Sequence, residues 1–332
     1  MMSAIRLRAR RVRARYLPAS IKQAIRRIVP YRPRRLPPRA VPAIRRFDLR
    51  LPIAPSGDST SLAATVIAAD SVLRDRDGHA VRIEAPGRLY VPRLLEESGL
   101  AGYEPDALAC LLAAIEDLDA ETVFDIGANV GVFSVLAAAV TSANVTAFEP
   151  TPDIASTCAD IMSANHLRCR VEAIALGASD GRATLYLSGS TDSSNSLRAG
   201  FRRSVGTVDV PLERLDSYCA RRGTWPAVLK IDTESTEPDV LRGAADLLAT
   251  KRPWIICEVL AGRTEEELME LLGPLDYHWF HITDAVPAVR MDVIVGDPTY
   301  RHMDWLFSPV PPSAAFWARV AKWRKSLAEC TP

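Results

Sequence analysis

From Glu121 onward the sequence alternates short apolar runs with amphipathic stretches, and this alternation restricts the fold more than any other feature. Thr122–Ile126, Val145–Phe148, Val171–Leu176, Val228–Ile231 and Ile255–Val259 are rich in Val, Ile and Phe and read as strands. Val132–Val140, Pro152–Asn165, Glu237–Leu248 and Thr264–Leu272 read as the helices between them. Strands that return through helices lie parallel with both faces covered. The expected class is therefore α/β, a Rossmann-like, mostly parallel sheet with helices on both faces. Residues 177–220 interrupt the pattern with strands Ala183–Leu187 and Val208–Leu212 around a polar loop, Ser188–Asn195. Late strands are expected near Tyr277–Ile282 and Trp305–Phe307.

The flanks are different in kind. Residues 1–50 carry sixteen Lys and Arg against one acid, Asp48, and are net +15, whereas the rest of the chain is net −14. Six prolines in that stretch break any long helix. Residues 1–60 therefore read as a disordered Arg/Pro-rich arm and linker, which could contact nucleic acid or an anionic membrane. Residues 61–102 read as a cap or hairpin with strands at Ala80–Ile83 and Arg88–Val91, and 103–310 as the main domain. Pro105–Leu118 reads as a helix with Leu108, Leu111, Leu112 and Ile115 on one face. In 311–332, Phe316, Val320, Trp323 and Leu327 make one face of a terminal helix that is expected to dock on the domain. The six cysteines show no metal or disulfide spacing, no run is long and apolar enough to span a bilayer, and the N-terminus lacks the apolar stretch of a secretory signal. Reduced thiols and a cytoplasmic location follow as expectations.

The chemistry concentrates where strands end. V-F-D-I-G-A-N-V-G, Val123 to Gly131, runs from an apolar strand through a glycine turn into a helix. In open α/β sheets ligands bind outside the carboxyl ends of the strands. Gly127 can take turn conformations closed to other residues and lets a ligand approach the backbone. Asn129 offers hydrogen bonds near a helix N-terminus, and Gly131 allows close helix–strand packing. The pattern is not G-x-G-x-x-G, because Asn129 stands where a glycine would admit a pyrophosphate. Asp125 just before the turn repels phosphate and suits a cation. S-adenosyl-L-methionine (SAM), with a sulfonium, an amino group and no phosphate, fits better than NAD. Glu149, at the tip of the second strand, could accept both ribose hydroxyls, or could be an ordinary solvated acid. After Val228–Ile231, the residues Lys230, Asp232, Glu234 and Glu237 gather at the sheet edge. Such ionisable groups are costly unless paired or used, although Glu234 and Glu237 could simply favour the next helix dipole.

D-I-G-A-N-V-G, F-E-P, K-I-D-T-E-S-T-E-P-D-V-L-R-G and I-I-C-E-V, in that order, resemble the FkbM family of SAM-dependent methyltransferases. So do Y-E-P (Tyr103–Pro105), A-L-G-A-S-D-G (Ala175–Gly181) and S-S-N-S-L (Ser193–Leu197). The resemblance spans Tyr103 to Phe307. It implies a seven-stranded class I methyltransferase sheet and methyl transfer, usually to a hydroxyl oxygen of a small molecule or sugar. By position it implies that Asp125, Gly127, Asn129 and Glu149 line the cofactor site, with Asp232 and Glu234 near the transfer centre. The family usually reads D-V-E-G-A-E, so Ser235 replaces a glycine here. A hydroxyl acceptor needs a base, and Asp232 ranks first, then Glu258, then His278 or His281. No dedicated metal cage is visible. The rival expectations are an NAD-dependent oxidoreductase and a non-catalytic protein of this fold acting through its basic arm.

Overall fold

In the computed structural model, residues 42–54, 74–75 and 78–332 are described, and all of them belong to one unit, Val41–Pro332. The basic arm over residues 1–41 and most of the linker lie outside the described residues. The chain after them begins with an antiparallel pair, β1 (Ile44–Arg50) against β3 (Gly78–Pro86), with β2 (Arg74–Asp75) on the far edge of β3. Residues 44–50 were expected in the unstructured arm. They form a strand because Leu49 faces the core beside Val81, Ile83 and Ala85, while the intervening arginines face out. Arg88–Val91 is not a strand either. The Pro86-Gly87 turn is closed by the Leu89 N–H donating to Pro86 O, the Gly87 N–H donates across to Ala43 O, and α1 (Tyr90–Ser98) starts directly after it.

α2 (Pro105–Asp117) follows, then β4 (Thr122–Ile126), α3 (Val132–Val140), β5 (Asn144–Phe148), α4 (Pro152–Ala164) and β6 (Cys169–Glu172). The expected third strand, Val171–Leu176, divides in two. β6 pairs with β5, whereas β7 (Ala175–Leu176) joins a separate three-stranded sheet with the hairpin β8 (Gly181–Ser188) and β9 (Ser204–Glu213). After α5 (Leu215–Arg222) the main sheet resumes with β10 (Val228–Ile231) and β11 (Trp254–Glu258), joined through the short helices α6 (Glu237–Arg242) and α7 (Ala245–Thr250). α8 (Glu265–Leu272) leads to β12 (His278–His281), β13 (Val289–Met291), β14 (Asp304–Ser308) and the last helix α9 (Ala314–Ala328).

The main sheet has the order β13-β12-β14-β11-β10-β4-β5-β6. β6, β5, β4, β10 and β11 run parallel, and β14, β12 and β13 add antiparallel pairings. The expected α/β class holds. The sheet has eight strands where seven were implied, the extra one being the short edge strand β13. The central strands are buried on both faces, which is why they read as continuous apolar runs. α2 was expected to bury one face, but Ala107 through Ile115 are all buried. The opposite face is covered by α9, whose Phe316, Val320, Trp323 and Leu327 are buried in the same core. Ion pairs Arg319–Asp117 and Arg324–Asp106 flank that contact. The terminal helix is docked on the domain, as expected from its apolar face.

Candidate functional site

The loop after β4 is built by close contact. Gly127 has φ +83°, and a Cβ there would lie 1.7 Å from the Asp232 carbonyl oxygen of the loop after β10. Only glycine lets these two strand ends meet. The Gly127 and Ala128 N–H groups both donate to Phe148 O (2.9 and 3.0 Å), tying the turn to β5. Asn129, at φ +52°, donates its N–H to Glu149 Oε2 (2.9 Å), and its own Oδ1 accepts the Val130 N–H (2.9 Å). The second oxygen of Glu149 accepts the Thr151 N–H (2.8 Å). Glu149 is thus fixed by backbone donors on both sides, and burial pushes its carboxyl above the usual range in spite of them.

Asp125 and Gly131 do not line the cavity beside this loop. Asp125 is buried, and its Oδ2 accepts from the Ser134 N–H (3.1 Å) and hydroxyl (2.7 Å) in the first turn of α3. Its place is behind the turn, anchoring the helix, and burial raises its carboxyl to about 6. Gly131 (φ +86°) starts α3, where a Cβ would press on Cys158 Sγ (2.6 Å) and Met162 Cε (2.7 Å). It permits helix–helix packing on α4, not the helix–strand contact expected of it. A strand-end carboxylate can face either way, and the sequence does not encode which.

The second half of the site surrounds one buried cation. Parallel register sets Lys230 of β10 beside Asp125 and Ile256, and antiparallel register sets Glu258 opposite Asp304. Lys230 is 1% exposed and donates to Asp304 Oδ1 (2.8 Å). It also lies 3.6 Å from Asp232 Oδ2 and 4.8 Å over the Phe133 ring. The surrounding acids hold it protonated, above the ordinary lysine value. Asp232, Glu234 and Glu258 all face one cavity, together with Gly127, Asn129 and Glu149. Burial raises all three of those carboxyls. Glu237 is different. Its Oε1 accepts the Thr233 N–H (2.9 Å), the Thr233 hydroxyl (3.1 Å) and the Ser235 N–H (3.1 Å), so it folds the 233–235 loop from behind. Burial lifts it to about 7.

Ser235 takes φ +79°, a conformation glycine would adopt without strain, and its buried Oγ has no hydrogen-bond partner. Ser235→Gly should therefore stabilise the protein by about 1 kcal/mol. Urea unfolding of both proteins checks this, and a less stable glycine variant would contradict it.

The cavity has a volume of about 280 Å³ and opens at the carboxyl ends of β4, β5 and β10. Glu104 was not singled out from the sequence, whereas the polar loop Ser188–Arg203 was expected to help choose the acceptor. Glu104, the middle of Tyr103–Pro105, lines it from the start of α2. Asn195 and Ser196 of the polar insertion close it from the other side, and the Ser196 hydroxyl donates to Glu234 O (2.7 Å). The Y-E-P and S-S-N-S-L motifs were the available signals for both. His278 and His281 do not line the cavity; His281 stacks on Trp305 and its Nε2 lies 2.8 Å from His302 O. Among the described residues, no group of three or more His, Cys, Asp or Glu is arranged to hold a metal ion, and no helix is long and apolar enough to cross a membrane.

A mostly parallel sheet with helices on both faces and a cleft at the carboxyl ends of its strands is the α/β plan of class I methyltransferases. Residues 125–289 match the family model described as the methyltransferase FkbM domain, and the chain belongs to that family. Among solved structures it is similar to methyltransferase FkbM from Methylobacillus flagellatus KT, with 17% identity over 57% of this chain and 44% of that one, at a TM-score of 0.38. It is also similar to a 16S rRNA methyltransferase of T. thermophilus in complex with AdoMet and guanosine, with 13% identity over 82% and 52% and a TM-score of 0.40. A SAM-dependent methyltransferase from Agrobacterium tumefaciens shows 11% identity over 69% and 68%, with a TM-score of 0.38. The chain spans about half the length of the first two. No curated protein matches the sequence.

Proposed function

We propose that the chain binds SAM in the acid-lined cavity and transfers its methyl group to a hydroxyl oxygen of a small molecule or glycan. The observation that carries this is the carboxyl lining of the cavity. Glu104, Glu149, Asp232, Glu234 and Glu258 face it, and the neighbouring cation, Lys230, is already committed to Asp304 and Asp232. Burial raises these carboxyls, and a bound cation would draw them toward the ionised form whereas a pyrophosphate would not, because opposite charges in a partly dry site attract and like charges repel. The buried oxygens Glu104 Oε2 and Glu258 Oε2 have no partner within the protein, which fits a ligand that brings hydrogen-bond donors. Glu149, held by two backbone N–H groups, retains lone pairs for ribose hydroxyls.

SAM, when bound, supplies a methyl carbon activated by the adjoining sulfonium. The chain supplies position and proton handling. Asn129, Thr151 and Glu149 form a rigid edge for the nucleoside, and alignment of this kind contributes about 7–11 kcal/mol to a two-substrate reaction. Asp232 takes the hydroxyl proton of the acceptor. Lys230, 3.6 Å from Asp232 Oδ2, holds the Asp232 carboxylate in place through charge.

Calorimetry with SAM, followed by mass spectrometry for a one-methyl gain on acceptor hydroxyls, tests the proposal. Glu149→Ala should weaken SAM binding by roughly tenfold or more, through lost hydrogen bonds. Unchanged heats in that variant would take Glu149 out of the site. The basic arm is the second proposed contact, to nucleic acid or anionic membrane, and rests on its charge alone. Deleting residues 1–41 should leave methyl transfer intact if the cavity is the seat of function.

A further inference from the structure

We propose that Glu104 is the seat of the amino group of SAM, so that donor binding displaces a proton from this carboxyl. The inference rests on the proposal that the cavity takes SAM and deepens it.

Glu104 sits at φ +43°, in the left-handed region, directly before Pro105. A residue before proline is already restricted in backbone conformation, so the side chain is held in place at a conformational cost. Its carboxyl lines the cavity, and Oε2 is buried with no hydrogen-bond partner. A second buried carboxyl, Glu258, 6% exposed, offers another unpartnered oxygen to the same space. A buried, unpartnered carboxyl oxygen on a residue of the cavity wall calls for a donor, and an ammonium group has three.

The groups whose charge reaches Glu104 are Asp304 of β14, Lys230 and Asp232 of the β10 end, and Asp125 of β4, with Tyr103 beside it in the chain. Three of them are acids, and the one cation is shared with Asp304 and Asp232. Burial and these acids lift the Glu104 carboxyl to about 8, so near neutral pH it is mostly protonated. An incoming ammonium favours the ionised form. The O–H bond then breaks, the proton leaves to solvent, and the ammonium takes its place as hydrogen-bond donor.

The test is calorimetry of SAM binding at pH 7 in buffers of different ionisation enthalpy, repeated with 5′-methylthioadenosine, which lacks the amino-acid portion. The wild type should release most of one proton per SAM and none with 5′-methylthioadenosine. Glu104→Gln, with folding checked by circular dichroism, should abolish most of that release. It should weaken SAM by roughly tenfold while leaving 5′-methylthioadenosine unchanged. If wild type binds SAM without releasing a proton, or if the variant weakens both ligands equally, the assignment to Glu104 is wrong and SAM binding stands. If wild type binds neither ligand, the cofactor proposal itself falls and takes this one with it. Should the Gln variant fail to fold, Glu104→Asp, which keeps the carboxyl but withdraws it by one methylene, is read in the same way: SAM weakened with 5′-methylthioadenosine unchanged supports the assignment, and equal affinity for SAM overturns it.

Discussion

Lys230→Met should destabilise the folded chain by about 3–5 kcal/mol, the usual cost of breaking a buried ion pair from one side. The substitution keeps most of the volume and removes the one charge that faces Asp304 at 2.8 Å and Asp232 at 3.6 Å. What remains is a set of buried carboxylates with no counter-charge. The effect has a pH signature. Carboxyls whose pKa is raised in the folded state oppose folding above their ordinary value and cease to do so as pH falls. Asp232 and Glu104 are both raised, so the deficit of the variant should be largest at pH 8 and shrink toward about pH 5. Urea denaturation at several pH values measures it. Adding Asp304→Asn to Lys230→Met should recover part of the loss, because it removes the charge left most directly unpaired. A pH-independent loss below about 1 kcal/mol would mean that Lys230 contributes only packing.

Asp232→Asn should reduce methyl transfer by about 10²–10⁴-fold, the ordinary share of a positioned base. Asparagine preserves shape but cannot accept the acceptor proton. SAM affinity, measured separately by calorimetry, should change by no more than a few fold, which separates proton handling from donor binding. Burial raises the Asp232 carboxyl, so the active, ionised form appears at higher pH than for an ordinary aspartate. Wild-type turnover should therefore fall as pH drops through that raised value, and the variant should lose this acid limb. Full turnover in the Asn variant would move the base elsewhere, with Glu258 next because it lines the same cavity.

Some of the site was legible because chemistry and chain order coincide. Gly127, Asn129 and Glu149 lie at the tips of adjacent parallel strands, and an apolar strand followed by a glycine turn marks such a tip. Asp232 and Glu234 were legible for the same reason at the end of β10. Asp125 and Gly131 belong to the same motif, yet they serve helix α3 and its packing on α4, because facing is set by contacts distant in sequence. Ser235 could be flagged from sequence as a residue in place of a glycine. Its positive φ and its buried, unpartnered hydroxyl could not. The seven residues of β1 were hidden by their arginines, since charge counts describe composition while strand pairing depends on alternate positions.

The sequence by itself determined the layered α/β plan, the strands that carry the cleft and the docking face of the terminal helix, because periodicity and turn chemistry act over neighbouring residues. Only the tertiary structure decided that Glu104, Glu258 and Asp304 join Asp232 around Lys230. Lys230 and Asp304 are 74 positions apart, and it is strand order and register, fixed by burial on both faces of the sheet, that bring them within hydrogen-bonding reach.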